Sequence, residues 1–446
     1  MKFRDIIDSP CGIRYCFDSL EPSSGYARRR LLDTEMMTDS QTLLSVFDLL
    51  RKFRSLLDAE PLRIEDIRSR LSGLREITNT LHSLRDGRML DDIEFFEIKH
   101  LAMLGSVVSS ILSDIGLSAI DLDFDRIIDI LDPDCQRTGT FYIYDSYSPQ
   151  LRDARSRLEN EPDNDELRDE VLTIEDEVRQ ELSSLLRPWS EGLENLMNTL
   201  ADVDLTIAKA LQMKEWHCTI PSISDHTVLN GMFNPEVKAS LQSSGRVFQS
   251  IDFEYFTGNT STIIGANMGG KTVSLKTLCL LQYLFQFGFA VPGESARMEL
   301  FDEIRLCVGD GQNERKGLSS FAAEMMAVDE IITLSEGKGK VLALVDEPAR
   351  TTNPVEGSAL VSALLKILST RKNLAFILTT HYRVEYSGQC WKVRGLVPAS
   401  NGIRMDYTLE KSSTNIVPHE AINIARELKI NEKWITTAKD MLDGLR

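Results

Sequence analysis

Long apolar runs are missing from this sequence: nowhere do about 18 apolar residues follow one another, so no membrane span is expected. The opening Met1-Lys2-Phe3-Arg4-Asp5 meets an acid at once and has no apolar core, which argues against a secretory signal and for a cytoplasmic location. Cysteine is sparse. The seven thiols (Cys11, Cys16, Cys135, Cys218, Cys279, Cys307 and Cys390) are odd in number, and no two stand at C-x-x-C spacing. Nothing near Cys11 and Cys16 completes a metal set, so reduced thiols are expected. Positive charge is also short, with a net charge of −18. The deficit is concentrated in residues 1–200, which hold 24 Lys and Arg against 40 Asp and Glu. An acidic half is a poor electrostatic match for DNA, whose affinity rests on Lys and Arg contacts to phosphates. Acidic helices can equally serve solubility alone, and Arg28-Arg29-Arg30 with the arginines between 51 and 88 leaves room for a local basic patch. No internal repeat or low-complexity segment stands out.

What is present is enough chain for two or more domains: 446 residues, 42% of them hydrophobic and 26% charged. Residues 40 to about 213 read as mostly helical, with apolar residues at helical spacing in Leu43–Leu50 and again in Phe95–Leu112. From Leu151 to Leu186 the sequence reads as a helical hairpin with its turn at Asn160-Glu161-Pro162-Asp163-Asn164. Leu167, Val171, Ile174, Val178, Leu182 and Leu185 form a coiled-coil-like seam on the second arm, unless that arm is a single solvated helix packed on the body. After a break rich in Pro, Ser, Asn and Gly at Trp216–Pro235, strands alternate with helices, which predicts an α/β domain with a largely parallel sheet. Candidate strands are Val247–Ile251, Thr262–Gly265, Val341–Val345, Ala375–Thr379 and Arg404–Leu409.

Chemistry enters at Gly265-Ala266-Asn267-Met268-Gly269-Gly270-Lys271-Thr272, which fits the phosphate-binding pattern G-x-x-x-x-G-K-[ST]. A β-prone run precedes it and a helical pattern from Val273 to Phe287 follows. Gly265 and Gly270 let the backbone turn its N–H groups inward, and with the helix N-terminus they cradle β- and γ-phosphates. Lys271 adds positive charge to the same phosphates, and the Thr272 hydroxyl is placed to ligate Mg²⁺. These residues point to a nucleoside triphosphate as ligand. A second apolar run, Val341–Val345, ends in Asp346-Glu347. Asp346 can hold Mg²⁺ through a coordinated water, and Glu347 can polarise the attacking water. A third, Ala375–Thr379, leads to Thr380-His381, where His381 senses the γ-phosphate, helps position the water or serves structure.

Taken in order, these motifs resemble the ATPase module of the MutS family, within the ABC superclass. The Asn267–Lys271 segment has that family's Asn-Met-Gly-Gly-Lys form, and Phe289-Ala290-Val291-Pro292-Gly293 resembles the segment after its phosphate-loop helix. Leu318-Ser319-Ser320-Phe321-Ala322-Ala323-Glu324-Met325 is similar to its Ser-Thr-Phe-x-x-Glu-Met motif. Asp346 to Gly357 parallels its extended Asp-Glu segment, and Thr380-His381-Tyr382 its switch histidine. The resemblance runs from roughly 230 to 446. It implies an all-α core and lever domain over residues 1–215, with the hairpin at about 151–186, followed by an ABC-type P-loop ATPase domain over 216–446. It also implies a composite site at the interface of a homodimer, or a heterodimer with a related subunit. There Ser319 and Ser320 of one subunit would approach the γ-phosphate held by the other. A plain helix N-cap is the alternative for this serine pair. Phe248 is placed either to stack on the adenine or to fill the core as a strand aromatic.

The sequence departs from the family pattern in ways that bear on its target. Nothing ahead of residue 40 resembles a mismatch-reading domain, no connector domain is recognisable, and the hairpin is too short to encircle a duplex: its first arm of roughly 11 residues reaches about 16 Å. Ala349 and Thr351 replace family glycines, while Pro348 and Pro354 stiffen the loop after Glu347. Two expectations follow. One is a DNA-handling ATPase of mismatch repair or recombination type. The other is an ATPase that remodels a protein complex, since the Asp-Glu-Pro-Ala-Arg-Thr-Thr-Asn-Pro form resembles MutS-like proteins that reactivate adenosylcobalamin-dependent lysine aminomutases.

Overall fold

The β-prone run Thr260–Ile264 and the apolar run Val341–Val345 are, in the computed structural model of this chain, buried strands inside a sheet. The structure describes all residues except 266–269, 310–319, 383, 385–387, 400–401, 414–421, 423–424, 427–429 and 445–446. The chain divides into two compact units. One comprises Met1–Leu20, Thr34–Leu49 and Gln212–Arg446, the other Glu21–Asp33 and Leu50–Leu211. The divisions at 49/50 and 211/212 fall within the helices Ser40–Ala59 and Ser190–Trp216.

In the first unit the described strands are β1 (Ser222–Ile223), β2 (Thr227–Met232), β3 (Ile251–Tyr255), β4 (Thr260–Ile264), β5 (Ser295–Met298), β6 (Glu303–Cys307), β7 (Val341–Asp346), β8 (Leu374–Thr380), β9 (Gln389–Ala399) and β10 (Gly402–Lys411). They make two mixed sheets, one of four strands in the order β1-β5-β2-β3 and one of six in the order β10-β9-β4-β8-β7-β6. In the larger sheet every neighbour pair is parallel except the β9–β10 hairpin. Strands β4 and β8 are buried along their whole length, and β7 up to Val345. Around β7 and β8 a core forms from Val341, Ala343, Val345, Phe376 and Leu378, with Val328 and Ile331 of the helix Ser320–Ser335 and Val361 and Leu365 of the helix Pro354–Leu368. The helix Lys271–Gln286 packs on β6, β7 and β8 and is buried on nearly every side. Parallel order aligns the carboxyl ends of β4, β7 and β8 at one edge, the place where open α/β sheets bind ligands.

The strand expected at Val247–Ile251 is displaced. Strand β3 begins only at Ile251, and residues 246–250 run outside any strand, with Val247 92% exposed. The preceding Gly245 has φ +70°, which breaks the extended path ahead of β3.

Among the described residues, the second unit contains helices and no strands. Its longest, Asp92–Asp114, opens with a reciprocal cap in which Glu94 N donates to Asp91 Oδ1 (2.8 Å) and Asp91 N to Glu94 Oε2 (2.9 Å). By length and composition alone this helix could cross a membrane. Here its apolar face, including Phe95, Ile98, Leu101 and Val108, is buried within the unit. Lys99, also buried, lies 3.6 Å from Asp132 and donates to Thr140 O at 3.0 Å. The hairpin is present as helices Pro149–Asn160 and Asp165–Leu186. Arg155 bridges the arms to Glu175 at 2.7 Å, and Arg157 pairs with Glu170. Val171, Val178 and Leu182 of the expected seam are buried. At its end the buried position is Leu186, while Leu185 is 46% exposed. The register shifts where the helix runs into the 3₁₀ turn Arg187–Trp189.

Candidate functional site

The site grows from the ends of three buried strands. After β4 comes Gly265, where a Cβ would sit 3.0 Å from two carbons of Val393 on β9. Ala266, Asn267, Met268 and Gly269 lie outside the described residues. The chain resumes at Gly270, whose φ of +77° is left-handed and which caps the helix Lys271–Gln286. A Cβ on Gly270 would also stand 3.0 Å from the Tyr407 ring, so space and dihedral both call for glycine.

Lys271 is 4% exposed. Its ammonium donates to Gly265 O at 2.8 Å and stands 3.0 Å from Glu347 Oε1, so two opposite charges meet in a nearly dry place. Next to it, Thr272 Oγ1 donates to Asp346 Oδ2 at 2.7 Å. The other oxygen of Asp346 accepts from Thr379 Oγ1 at 2.6 Å, and Thr379 in turn accepts from the Glu347 N–H through both its carbonyl (3.1 Å) and its hydroxyl (3.0 Å). Thr379, at the end of β8, thereby fixes the Asp346-Glu347 pair at the end of β7. Glu347 has φ +44°, uncommon for a residue with a side chain. Its Oε2 lies 3.7 Å from His381 Nδ1 and 4.0 Å from the Arg350 guanidinium. Among the described residues His381 Nδ1 is buried without a hydrogen-bond partner.

Gly270, Lys271, Thr272, Glu347 and Arg350 open onto a cleft of about 590 Å³. Its lining combines these residues with the apolar Leu241, Val247, Phe248 and Ile251. Phe248 therefore lines the cleft from an irregular segment rather than from a core strand, its ring edge-on to Phe233 at 6.5 Å. Tyr407 lines the same cleft from β10. It is delivered by a register shift between Asp406 and Leu409 and anchored by Gln249, whose Oε1 accepts from Tyr407 N at 3.1 Å. The Gln249 amide donates to Asp406 Oδ1 (2.8 Å) and Thr408 Oγ1 (3.0 Å). Hydrogen bonds from Gln249, then Thr408, hold the Asp406 carboxyl well below the usual carboxylate range.

Gly265, Gly270, Lys271, Thr272, Asp346, Glu347 and His381 thus stand around one end of the sheet, and Phe248 lines the cleft there together with Gly270, Lys271, Thr272 and Glu347. Ser319 lies outside the described residues, and Ser320 is the first residue of the helix Ser320–Ser335. Reading the sequence did not single out Thr379, Gln249, Tyr407 or Arg350 as site residues. Thr379 sits at a strand end one turn of logic away from Asp346, and that position was the available signal. Nothing in the sequence alone brings Gln249 and Tyr407 together across 158 residues. For Mg²⁺, the Thr272 hydroxyl and the Asp346 carboxylate are adjacent oxygen donors. A hard cation that keeps several waters and takes its remaining ligands from phosphates fits such a sparse set.

The sequence model of MutS domain V matches residues 261–446. The endonuclease MutS2 of Pediococcus pentosaceus is 32% identical over 293 residues, which are 63% of this chain and 36% of that protein. The endonuclease MutS2 of Enterococcus faecalis is 30% identical over 296 residues, again 63% and 36%. The endonuclease MutS2 of Lactococcus lactis subsp. cremoris aligns with the whole chain at 27% identity, covering 54% of its own length. The chain spans about half the length of this last relative and less of the others.

Proposed function

The chain belongs to the MutS family through residues 261–446, and from that premise we propose that it binds and hydrolyses ATP and uses the cycle to change the disposition of its helical part. The observation that carries this reading is the meeting of Lys271, Thr272, Asp346 and Glu347 at the ends of β4 and β7, within 3.0 Å of one another in pairs. Lys271 and the backbone at Gly270 would hold the β- and γ-phosphates, and Phe248 and Tyr407 would flank the base. Thr272 and Asp346 would hold Mg²⁺, which when bound neutralises charge on the phosphates. When Lys271 turns to an anionic ligand, Glu347 Oε1 is freed to accept a proton from water, with His381 beside Oε2 keeping the carboxylate aimed. We assign the ATPase domain to 216–446, the core and lever domain to 1–215 and the working form to a dimer in the cytoplasm. In that dimer Ser319 and Ser320 act on the neighbouring subunit's γ-phosphate.

The target is read first as DNA, in mismatch or recombination handling, because the relatives carry the name endonuclease MutS2. One observation favours a second target, a protein complex such as an adenosylcobalamin-dependent lysine aminomutase: the excess of 40 acidic over 24 basic residues in 1–200, which opposes a polyanionic partner. Lys271→Ala tests the nucleotide site. Titration with Mg-ATP is expected to show affinity lowered at least about 100-fold, the loss of several charge-assisted hydrogen bonds. Unchanged affinity sinks the phosphate-site assignment.

A further inference from the structure

Ala349 carries backbone features that the phosphate chemistry does not use. It is fully buried, yet its φ is +61°, and Glu347 two residues earlier has φ +44°. Two side-chain residues in left-handed backbone within three positions are disfavoured by about 1 kcal/mol or more each unless their surroundings hold them. Both polar groups of Ala349 are held. Its N–H donates to Glu324 Oε1 at 2.6 Å, and its carbonyl accepts from the Tyr382 hydroxyl at 2.8 Å and from Thr352 N at 3.2 Å. Glu324 stands in the second turn of the helix Ser320–Ser335, and Tyr382 directly follows His381. The hydroxyl of Tyr382 fits only because residue 357 has no side chain: a Cβ there would lie 2.5 Å from that oxygen. Tyr382 is itself fixed through its N–H to Thr380 Oγ1 at 3.0 Å. Three segments meet on one residue's backbone: the helix that begins at Ser320, the loop carrying Glu347 and the loop carrying His381.

We propose that Glu324 and Tyr382 are positioning residues that grip the Ala349 backbone through its N–H and its carbonyl and so hold the Glu347 carboxylate on Lys271 and His381. The inference rests on the ATPase reading. Neither residue touches the nucleotide cleft, and neither lines it. Their effect passes through the Glu347-Pro348-Ala349 turn, whose left-handed residues have other backbone conformations available once a grip is lost. Pro348 narrows those alternatives without removing them.

The test is steady-state ATP hydrolysis and equilibrium nucleotide binding on the full chain, with melting temperature as a check on folding. Tyr382→Phe keeps the ring and deletes only the donor. Glu324→Ala deletes the acceptor, and Glu324→Gln restores a neutral one. Tyr382→Phe and Glu324→Ala are expected to lower kcat about 10-fold or more, with KM and nucleotide affinity within about 2-fold, since a misplaced catalytic group damages the reaction step and not ground-state binding. Glu324→Gln is expected to recover most of the loss seen with Glu324→Ala. Parental kcat in both deletions, or equal losses in kcat and in nucleotide affinity, overturns the proposal. Failure of Glu324→Gln to improve on Glu324→Ala in folded protein also overturns it. A parent chain that binds ATP without hydrolysing it sinks the underlying ATPase reading instead, and the two failures are separated by that control.

Discussion

At the scale of single residues, the site is governed by burial of charge. Lys271 and Glu347 are 4% and 10% exposed at the side chain, and their opposite charges meet at 3.0 Å. Glu324 is a contrasting case. Burial pushes its carboxyl up from the usual glutamate range, and the Ala349 N–H opposes that shift only in part. A carboxyl whose folded pKa lies above its unfolded value binds more protons in the native state. Its ionisation therefore lowers stability as pH rises from the ordinary glutamate range through the folded pKa. Glu324→Gln removes this dependence. The melting temperature of the variant minus that of the parent is expected to increase on going from about pH 4 to about pH 7. A difference that is flat or decreases contradicts the assigned direction.

At the scale of elements, the parts that bring the site together are those most legible in the sequence. Buried parallel strands tend to be apolar runs, so β7 and β8 could be read with the polar residues at their tips, and β4 from its β-prone residues just ahead of Gly265. The helical hairpin was legible from the turn at Asn160-Glu161-Pro162-Asp163-Asn164 and the apolar spacing of its second arm. Strand β2 was not, because Thr227–Met232 contains Asn230-Gly231 and alternates irregularly between buried and exposed. Val247–Ile251 looked like a strand through its apolar residues, but those residues wall the cleft instead of a core. The grip on Ala349 was beyond sequence reading, since it joins Glu324, Ala349, Gly357 and Tyr382 from four separate segments. Gly357 gives this packing a direct test. Gly357→Ala is expected to destabilise the chain by about 1–3 kcal/mol, the usual effect of overpacking a rigid neighbour. Denaturant unfolding checks it, and a change under about 0.5 kcal/mol, which is typical of surface sites, shows that the Tyr382 ring yields freely.

At the scale of the whole molecule, the engine and its load are recorded differently. The ATPase part leaves its mark in motifs and in converging strand ends, while the load is left to charge and to relatives that extend well beyond this chain. If the target is DNA, binding to duplex or heteroduplex at near-physiological salt is expected, weakening steeply as salt rises in proportion to the phosphates neutralised. Filter binding or anisotropy across a salt series decides this. The absence of any salt-dependent binding moves the reading to a protein complex.

The central claim is that Glu347 performs hydrolysis at a site built to hold ATP, and Glu347→Gln tests it most directly. The substitution keeps the shape of the side chain and removes the base. Nucleotide binding is expected to persist while the hydrolysis rate falls about 100-fold or more, the contribution usual for a positioned base. Hydrolysis at the parental rate by the folded variant would contradict the account.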